Sequence, residues 1–329
     1  MRSATRRALV ATVVVCLTLV GVELVLRTMV SDLDNFVGIF EHDLADGRCL
    51  ALRPGRTGTY EGWLWRVPSS EIEINERGYR DRDWTPQAAK GDLRIALIGD
   101  SMVFGLGTAL SDGMPKRVEA LLASASSQTV EVINAGVPGH DLPSMVTSVP
   151  DLLDAYRPQA LVLLVDHNDL LEVSCDRWSL YFGAGLRRSA LARLVISAMA
   201  SLLVRPQASA QQRISLLERE LARLAKVART QNDEPIPVLL IESGDWATEL
   251  SEAELDALFV RHGTRRASIR TTMDRLFEES DSYIIRGEGH PNGRGMALLS
   301  EALVKTLAVV DLPGSTTHVK IDSATHDAP

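Results

Sequence analysis

Ser101 ends the run Leu93-Arg94-Ile95-Ala96-Leu97-Ile98-Gly99-Asp100-Ser101, and His290 stands in Glu288-Gly289-His290-Pro291-Asn292. A serine hydroxyl becomes a nucleophile when a base lies within hydrogen-bond reach, and His290 is the candidate base. Attack on an acyl carbon builds an oxyanion, which needs donors fixed in advance. Three candidate donors are the backbone N–H of Ser101, the backbone N–H of Gly139 and the side-chain amide of Asn168. Glycine at 139 lets the backbone approach a substrate closely. A histidine base also needs a partner that fixes its tautomer, and Glu288 is the nearest acid. These residue types together suit acyl transfer.

Such residues act only if the chain brings them together. Leu93–Ile98 reads as a strand, followed by a helix over Met114–Ser124. Val130–Asn134 reads as a second strand, with a helix over Leu142–Ala155. Ala160–Val165 is a third strand and Val238–Ile241 a fourth, separated by a helix near Ala208–Arg229. In that helix Ile214, Leu217, Leu221, Leu224 and Ala228 recur at helical spacing. Tyr283–Ile285 is the expected fifth strand and Met296–Val309 the closing helix. Alternating strands and helices predict an α/β fold with a parallel sheet, and strands apolar on both faces predict helices on each side. Ligands of such sheets bind at the carboxyl ends of the strands. Ser101, Gly139 and Asn168 each follow a different strand there, and His290 precedes the closing helix.

Upstream, Arg2, Arg6 and Arg7 precede an apolar stretch over Ala8–Leu26, close to the roughly 20 residues that span a bilayer. Residues 1–30 therefore read as an uncleaved signal anchor, with a cleaved signal peptide as the rival. The arginines predict a cytoplasmic N-terminus, a single pass of the inner membrane and a domain facing the periplasm or exterior. Glu23, near the far end, can reach the headgroups. Residues 31–90 read as an irregular lead-in with one short strand at Glu71–Asn75. Tyr60, Trp63, Trp65, Tyr79 and Trp84 need packing partners within it. The catalytic domain is expected over 91–312, and a disordered tail over 313–329.

Composition narrows the classes. The 329 residues carry 35 basic and 43 acidic side chains, a formal net charge of −8, which argues against a nucleic-acid binder. Three cysteines exclude a disulfide framework and a four-thiolate zinc site.

Four blocks carry a resemblance: Ile98-Gly99-Asp100-Ser101, Asn134-Ala135-Gly136-Val137-Pro138-Gly139, Asp166-His167-Asn168-Asp169 and Glu288-Gly289-His290-Pro291-Asn292. In this order they resemble the SGNH, or GDSL-like, serine hydrolases. The segment from Ile74 to Asp81 also resembles the lead-in of membrane-anchored bacterial members. The resemblance implies a flavodoxin-like three-layer α/β/α sandwich, no cofactor or metal, and serine esterase or acyl-transfer chemistry. It implies a catalytic Ser101, His290 and Glu288, and an oxyanion hole from Ser101, Gly139 and Asn168. From anchored members it implies a short, acetyl-like acyl group on envelope carbohydrate. A lipid or small-ester esterase, and a catalytically silent glycan-binding scaffold, are the alternatives. No Gly-x-Ser-x-Gly elbow is present, which disfavours the α/β-hydrolase fold with that signature.

Two positions depart from the family pattern. Asp166 stands where a glycine is common, two residues before Asn168. The family's acid is usually Asp three residues before the histidine, or two before it in some anchored members; here Gly287 and Glu288 hold those places. Asp281 is the fallback acid, and a Ser–His dyad the option without one. His140 and His167 flank the site and are read as structural or substrate-contacting. Cys49 and Cys175 are read as free thiols, with pairing as the alternative in an oxidising compartment. The insertion Trp178–Val204 is apolar and is read as a helix packing on the domain, with a lid or membrane-surface element as the sharper reading.

Overall fold

The computed structural model describes residues 2–309 apart from 31–32, 43, 64, 127, 172–188, 204–207 and 247–248. Cys175, the first part of the insertion and the expected tail over 313–329 lie outside the described residues.

Helix α1 (Arg2–Met29) opens the chain. Its segment Ala4–Met29 is long and apolar enough to cross a membrane, and its most apolar window has a mean hydropathy of 2.6. A short helix α2 (Asp34–Val37) follows, then strands β1 (Phe40–His42), β2 (Leu50–Leu52), β3 (Thr57–Tyr60) and β4 (Ser70–Glu73). The lead-in is thus more regular than expected: β1 pairs with β2, and β3 with β4, both antiparallel. Its own core joins Phe36, Ile39, Phe40, Leu50, Tyr60 and Ile72 to Phe104, Leu106 and Val137 of the main domain. Burial alternates along β4, so Ile72 points inward, as its alternation with charge predicts. Asn75 falls beyond the strand because its side chain accepts from the N–H groups of Arg77 and Tyr79, which makes a turn there.

The main domain begins with β5 (Leu93–Gly99), the one-turn helix α3 (Ser101–Phe104) and α4 (Met114–Ala125). Then come β6 (Val130–Gly136), α5 (Leu142–Tyr156) and β7 (Ala160–Val165). Helices α6 (Ala190–Leu203) and α7 (Ala210–Val227) lead to β8 (Val238–Glu242), followed by α8 (Glu252–Arg261) and β9 (Arg265–Ser268). The chain closes through α9 (Arg270–Glu278), α10 (Ser280–Tyr283) and α11 (Gly293–Val309).

The five-stranded sheet has the order β6-β5-β7-β8-β9, with every neighbouring pair parallel. Within the sheet this is the order 2-1-3-4-5, whose direction reverses between β5 and β7. Alternate residues of each strand serve two cores. Ala96, Ile98, Leu161 and Leu163 face α5, α7 and α8. Ile95, Leu97, Val162 and Leu164 face α4, α9 and α11. The architecture is a three-layer α/β/α sandwich.

One strand expectation is corrected. Tyr283 ends α10, and Ile284 makes only an isolated bridge to Pro291. The fifth strand is β9, Arg265-Arg266-Ala267-Ser268. Its arginines hid it, because an edge strand needs no apolar run. Arg266 instead pairs with Glu242 of β8 at 3.2 Å, both side chains largely buried.

Glu23, expected near the headgroups, also has partners within the chain. Its carboxylate accepts from Ser189 Oγ at 3.0 Å and from the N–H groups of Ala190 and Leu191 at 3.0 and 2.9 Å. It therefore caps the start of α6, satisfying donors that a helix leaves unpaired. Arg193 on α6 donates to the Trp63 carbonyl at 2.9 Å, which ties the same helix to the lead-in. Cys49 is disulfide-bonded rather than free, and Cys16 is a free thiol.

Candidate active site

Ser101 opens α3 directly after β5, with Asp100 as the N-cap. The Asp100 carboxylate accepts from the Met102 N–H at 2.9 Å. The short helix ends at Gly105, and the following turn is held from outside. Buried Arg80 donates to the carbonyls of Phe104, Gly105 and Thr108 at 3.0, 2.6 and 2.7 Å. Burial lowers the Arg80 pKa to about 10, which leaves it cationic at neutral pH. Its neighbour Asp81 accepts from the Asn134 N–H at 2.9 Å and pairs with Lys116 at 2.8 Å. The Ile74–Asp81 segment thus clamps the first and second motif blocks from the lead-in side.

His290 sits in a tight loop between α10 and α11. The Ile285 N–H donates to the His290 carbonyl at 2.8 Å, and the Asn292 side chain accepts from the N–H groups of Arg294 and Gly295. Gly289 has φ +97°, which lets the loop fold back so that Glu288 reaches the imidazole two residues on. His290 Nε2 lies 2.8 Å from Ser101 Oγ. Nδ1 is bonded to Glu288 Oε2, which also accepts from the His290 backbone N–H at 3.1 Å. With Nδ1–H donating to the carboxylate, Nε2 carries the lone pair that accepts the serine hydroxyl. Asp281 is exposed on α10.

The electrostatics follow from burial and pairing. Burial alone would lower the His290 pKa, but the hydrogen bond and charge of Glu288, with the charge of Asp100, raise it above its ordinary value. Burial would raise the Glu288 carboxyl, yet its bonds to His290 and to the Tyr60 hydroxyl hold it below the usual range. Only 3% of the Glu288 side chain is exposed, against 24% for His290.

Gly139 follows β6 with φ +81°, in a loop fastened by the Val137 N–H to the Gly99 carbonyl at 3.0 Å. Asn168 lies on a 3-10 turn, His167–Leu170, at the end of β7. Asp166 caps that turn: its carboxylate accepts from the His167 N–H at 2.6 Å, and its own N–H donates to Asp169 at 2.8 Å. Asn168 is exposed, and among the described residues its carboxamide has no hydrogen-bond partner. Ser101, Gly139 and Asn168 therefore stand at the carboxyl ends of three adjacent strands, around the reversal point of the sheet.

Aspartate at 166 fits because residue 244 is glycine. A Cβ there would lie 2.0 Å from Asp166 Oδ1. Behind Asn168, burial raises the Asp169 carboxyl well above its ordinary value, reinforced by the charge of Asp100, and burial also raises Asp100.

His140 is buried, and its Nε2–H donates to the Leu50 carbonyl at 2.9 Å. Burial lowers its pKa to about 4, so it stays neutral and ties β2 to the main domain. His167 is exposed and bonded to Asp166 at 2.9 Å. From its sequence context Tyr60 is only an aromatic that needs a packing partner. Its hydroxyl donates to Glu288 Oε1. A groove of about 640 Å³ near Arg157, Gln159 and Pro237 opens at the amino ends of β7 and β8, the opposite edge from Ser101.

No family model matches the chain, and no curated protein matches its sequence. Among solved structures it is similar to TesA, with 19% identity and a TM-score of 0.43, covering 65% of this chain and 98% of that one. It is similar to the psychrotrophic esterase EstA from Pseudoalteromonas sp., with 16% identity and a TM-score of 0.43, covering 66% and 97%. It is similar to a catalytic mutant of Axe2, an acetylxylan esterase from Geobacillus stearothermophilus, with 12% identity and a TM-score of 0.40, covering 65% and 94%.

Proposed function

We propose that this protein is a membrane-anchored SGNH-type serine hydrolase that cleaves or transfers ester-linked acyl groups outside the cytoplasm. The observation that carries the reading is Ser101 Oγ at 2.8 Å from His290 Nε2, with Glu288 bound to the other ring nitrogen. His290 takes the Ser101 proton as Oγ attacks the ester carbonyl. The N–H groups of Ser101 and Gly139 and the Asn168 carboxamide receive the charge that builds on the carbonyl oxygen. His290 then protonates the leaving alkoxide, and an acyl group remains on Ser101. Water, or a second hydroxyl compound, attacks that ester by the reverse route and frees the serine.

The acyl group is short and acetyl-like, and the alcohol is an envelope carbohydrate. The resemblance of the lead-in motif to anchored family members supports this substrate class. The apolar stretch of α1 behind its three leading arginines supports a single-pass anchor with the catalytic domain facing the periplasm or exterior. A disulfide-bonded Cys49 supports the same side, because such bonds persist in oxidising compartments.

The test uses the full chain in detergent. A fluorophosphonate probe is expected to label Ser101, and the label to vanish in Ser101→Ala. Acetylated saccharides are expected to turn over faster than long-chain aryl esters. Preference for long chains would make the protein a lipid esterase, and absence of labelling would make it a binding scaffold.

A further inference from the structure

Tyr60 ends β3, 228 positions before Glu288, yet its hydroxyl donates to Glu288 Oε1. The two oxygens of that carboxylate are thus used separately. Oε2 meets the His290 imidazole, and Oε1 meets Tyr60. The Tyr60 side chain is 1% exposed, with its ring edge-on to Phe36 at a centroid distance of 4.8 Å. Strand β3 itself has little freedom. It pairs with β4, and a Cβ at Gly58 would lie 2.6 Å from the Asn35 carbonyl oxygen.

Glu288 needs such a hold. Glutamate has one more rotatable bond than aspartate, so its carboxylate can swing further. The flanking residues, Gly287 and Gly289, both have left-handed φ, at +81° and +97°, and neither braces the loop with a side chain.

We propose that Tyr60 is a positioning residue of the active site, which fixes the Glu288 carboxylate so that Oε2 stays on His290 Nδ1. The inference rests on the reading of Ser101, His290 and Glu288 given above. It makes the lead-in part of the catalytic apparatus rather than a spacer between anchor and domain. The groups that face one another are few. Tyr60 and His290 face Glu288, and Ser101, Glu288 and Asp100 face His290. Burial and then the Glu288 charge raise the Tyr60 pKa, which favours the protonated hydroxyl as the donor.

Tyr60→Phe in the full chain tests this, because it keeps the ring in its apolar cluster and removes only the hydroxyl. For an aryl acetate, kcat is expected to fall on the order of 10-fold with KM within about twofold, as loss of orientation alone would do. In a Glu288→Gln background the same change is expected to have no further effect. A Tyr60→Phe enzyme with parental kcat, or an undiminished effect in the Glu288→Gln background, would overturn the inference. A second readout needs no substrate. The His290 imidazole is titrated by NMR, its resonance assigned through loss in His290→Ala. If Tyr60 holds Glu288 in place, Tyr60→Phe lowers the imidazole midpoint, and so does Glu288→Gln. An unchanged or raised midpoint would overturn the positioning role. A parent chain without esterase activity whose His290 midpoint still drops in Tyr60→Phe would sink the hydrolase reading and leave this linkage standing.

Discussion

Ser101 Oγ and His290 Nε2 stand 2.8 Å apart although 189 positions separate them in the chain. The first opens α3 just after β5, at the sheet's reversal point, and the second hangs from the loop before α11. The bond needs the imidazole neutral at Nε2. Since Glu288 and Asp100 raise the His290 pKa, the base is lost earlier on acidification than for an unperturbed histidine. We expect kcat/KM to fall through an acid limb with a midpoint above the ordinary value of about 6.5. A pH profile of ester hydrolysis checks this, and a limb below that value would contradict the assignment of His290.

Asn168→Ala is expected to lower kcat about 100–1000-fold, or about 3–4 kcal/mol, with little change in KM. The carboxamide would then act on charge present only in the transition state. Steady-state kinetics on one short-chain ester suffice. A rise in KM at constant kcat would instead make Asn168 a ground-state contact.

Glu288→Gln keeps the side chain's shape but removes its charge and can favour the wrong imidazole tautomer. The expected kcat loss is on the order of 100-fold or more. Asp281→Asn, on the exposed face of α10, is expected to change nothing. Ser101→Ala and His290→Ala should each be near-inactive. If Glu288→Gln retained full activity, the site would be working as a dyad.

Arg80→Met should destabilise the fold rather than the chemistry alone. It strips the guanidinium from the carbonyls of Phe104, Gly105 and Thr108 in the turn behind Ser101. Gly105 keeps the Thr108 N–H and hydroxyl as donors, and Phe104 keeps the Asn134 carboxamide. The Thr108 carbonyl loses its donor, and a buried acceptor left without a partner costs about 1–3 kcal/mol. Urea unfolding of the full chain in detergent would read it as a lower midpoint.

A reporter active only outside the cytoplasm, fused after Pro329, is expected to be active and to stay with membranes after a carbonate wash. Full-length protein recovered in the cytoplasmic fraction would remove the anchor.

The parts of the site that were legible in the sequence are those written in short local strings. Gly99-Asp100-Ser101 follows a strand apolar on both faces, and His290 precedes a helix of strong apolar content. Strands β5 to β8 are buried between two helix layers, so their sequences announce them. Strand β9 is not announced, because an edge position tolerates arginines and Arg266 pairs with Glu242, Glu252 and Asp256. The disulfide at Cys49 was open in the sequence as the alternative to a free thiol. The Tyr60–Glu288 bond was illegible for a different reason: it joins distant segments, and nothing beside either residue names its partner. Tyr60 looks locally like any aromatic in a turn-rich segment that needs a packing partner. The capping of α6 by Glu23 is of the same kind, since a carboxylate in an apolar helix says that it needs donors and not where they are.

The distance along the chain between Ser101 and His290 also sets a timetable. At roughly 5–20 residues per second, a ribosome makes the serine on the order of ten seconds or more before the histidine. Through that interval the nascent chain holds a serine with no base. The loop that carries His290 is shaped by contacts to Tyr283 and Ile285, and it borders α11, so it assembles late. Chemistry that requires both residues is therefore silent in every chain that ends before His290.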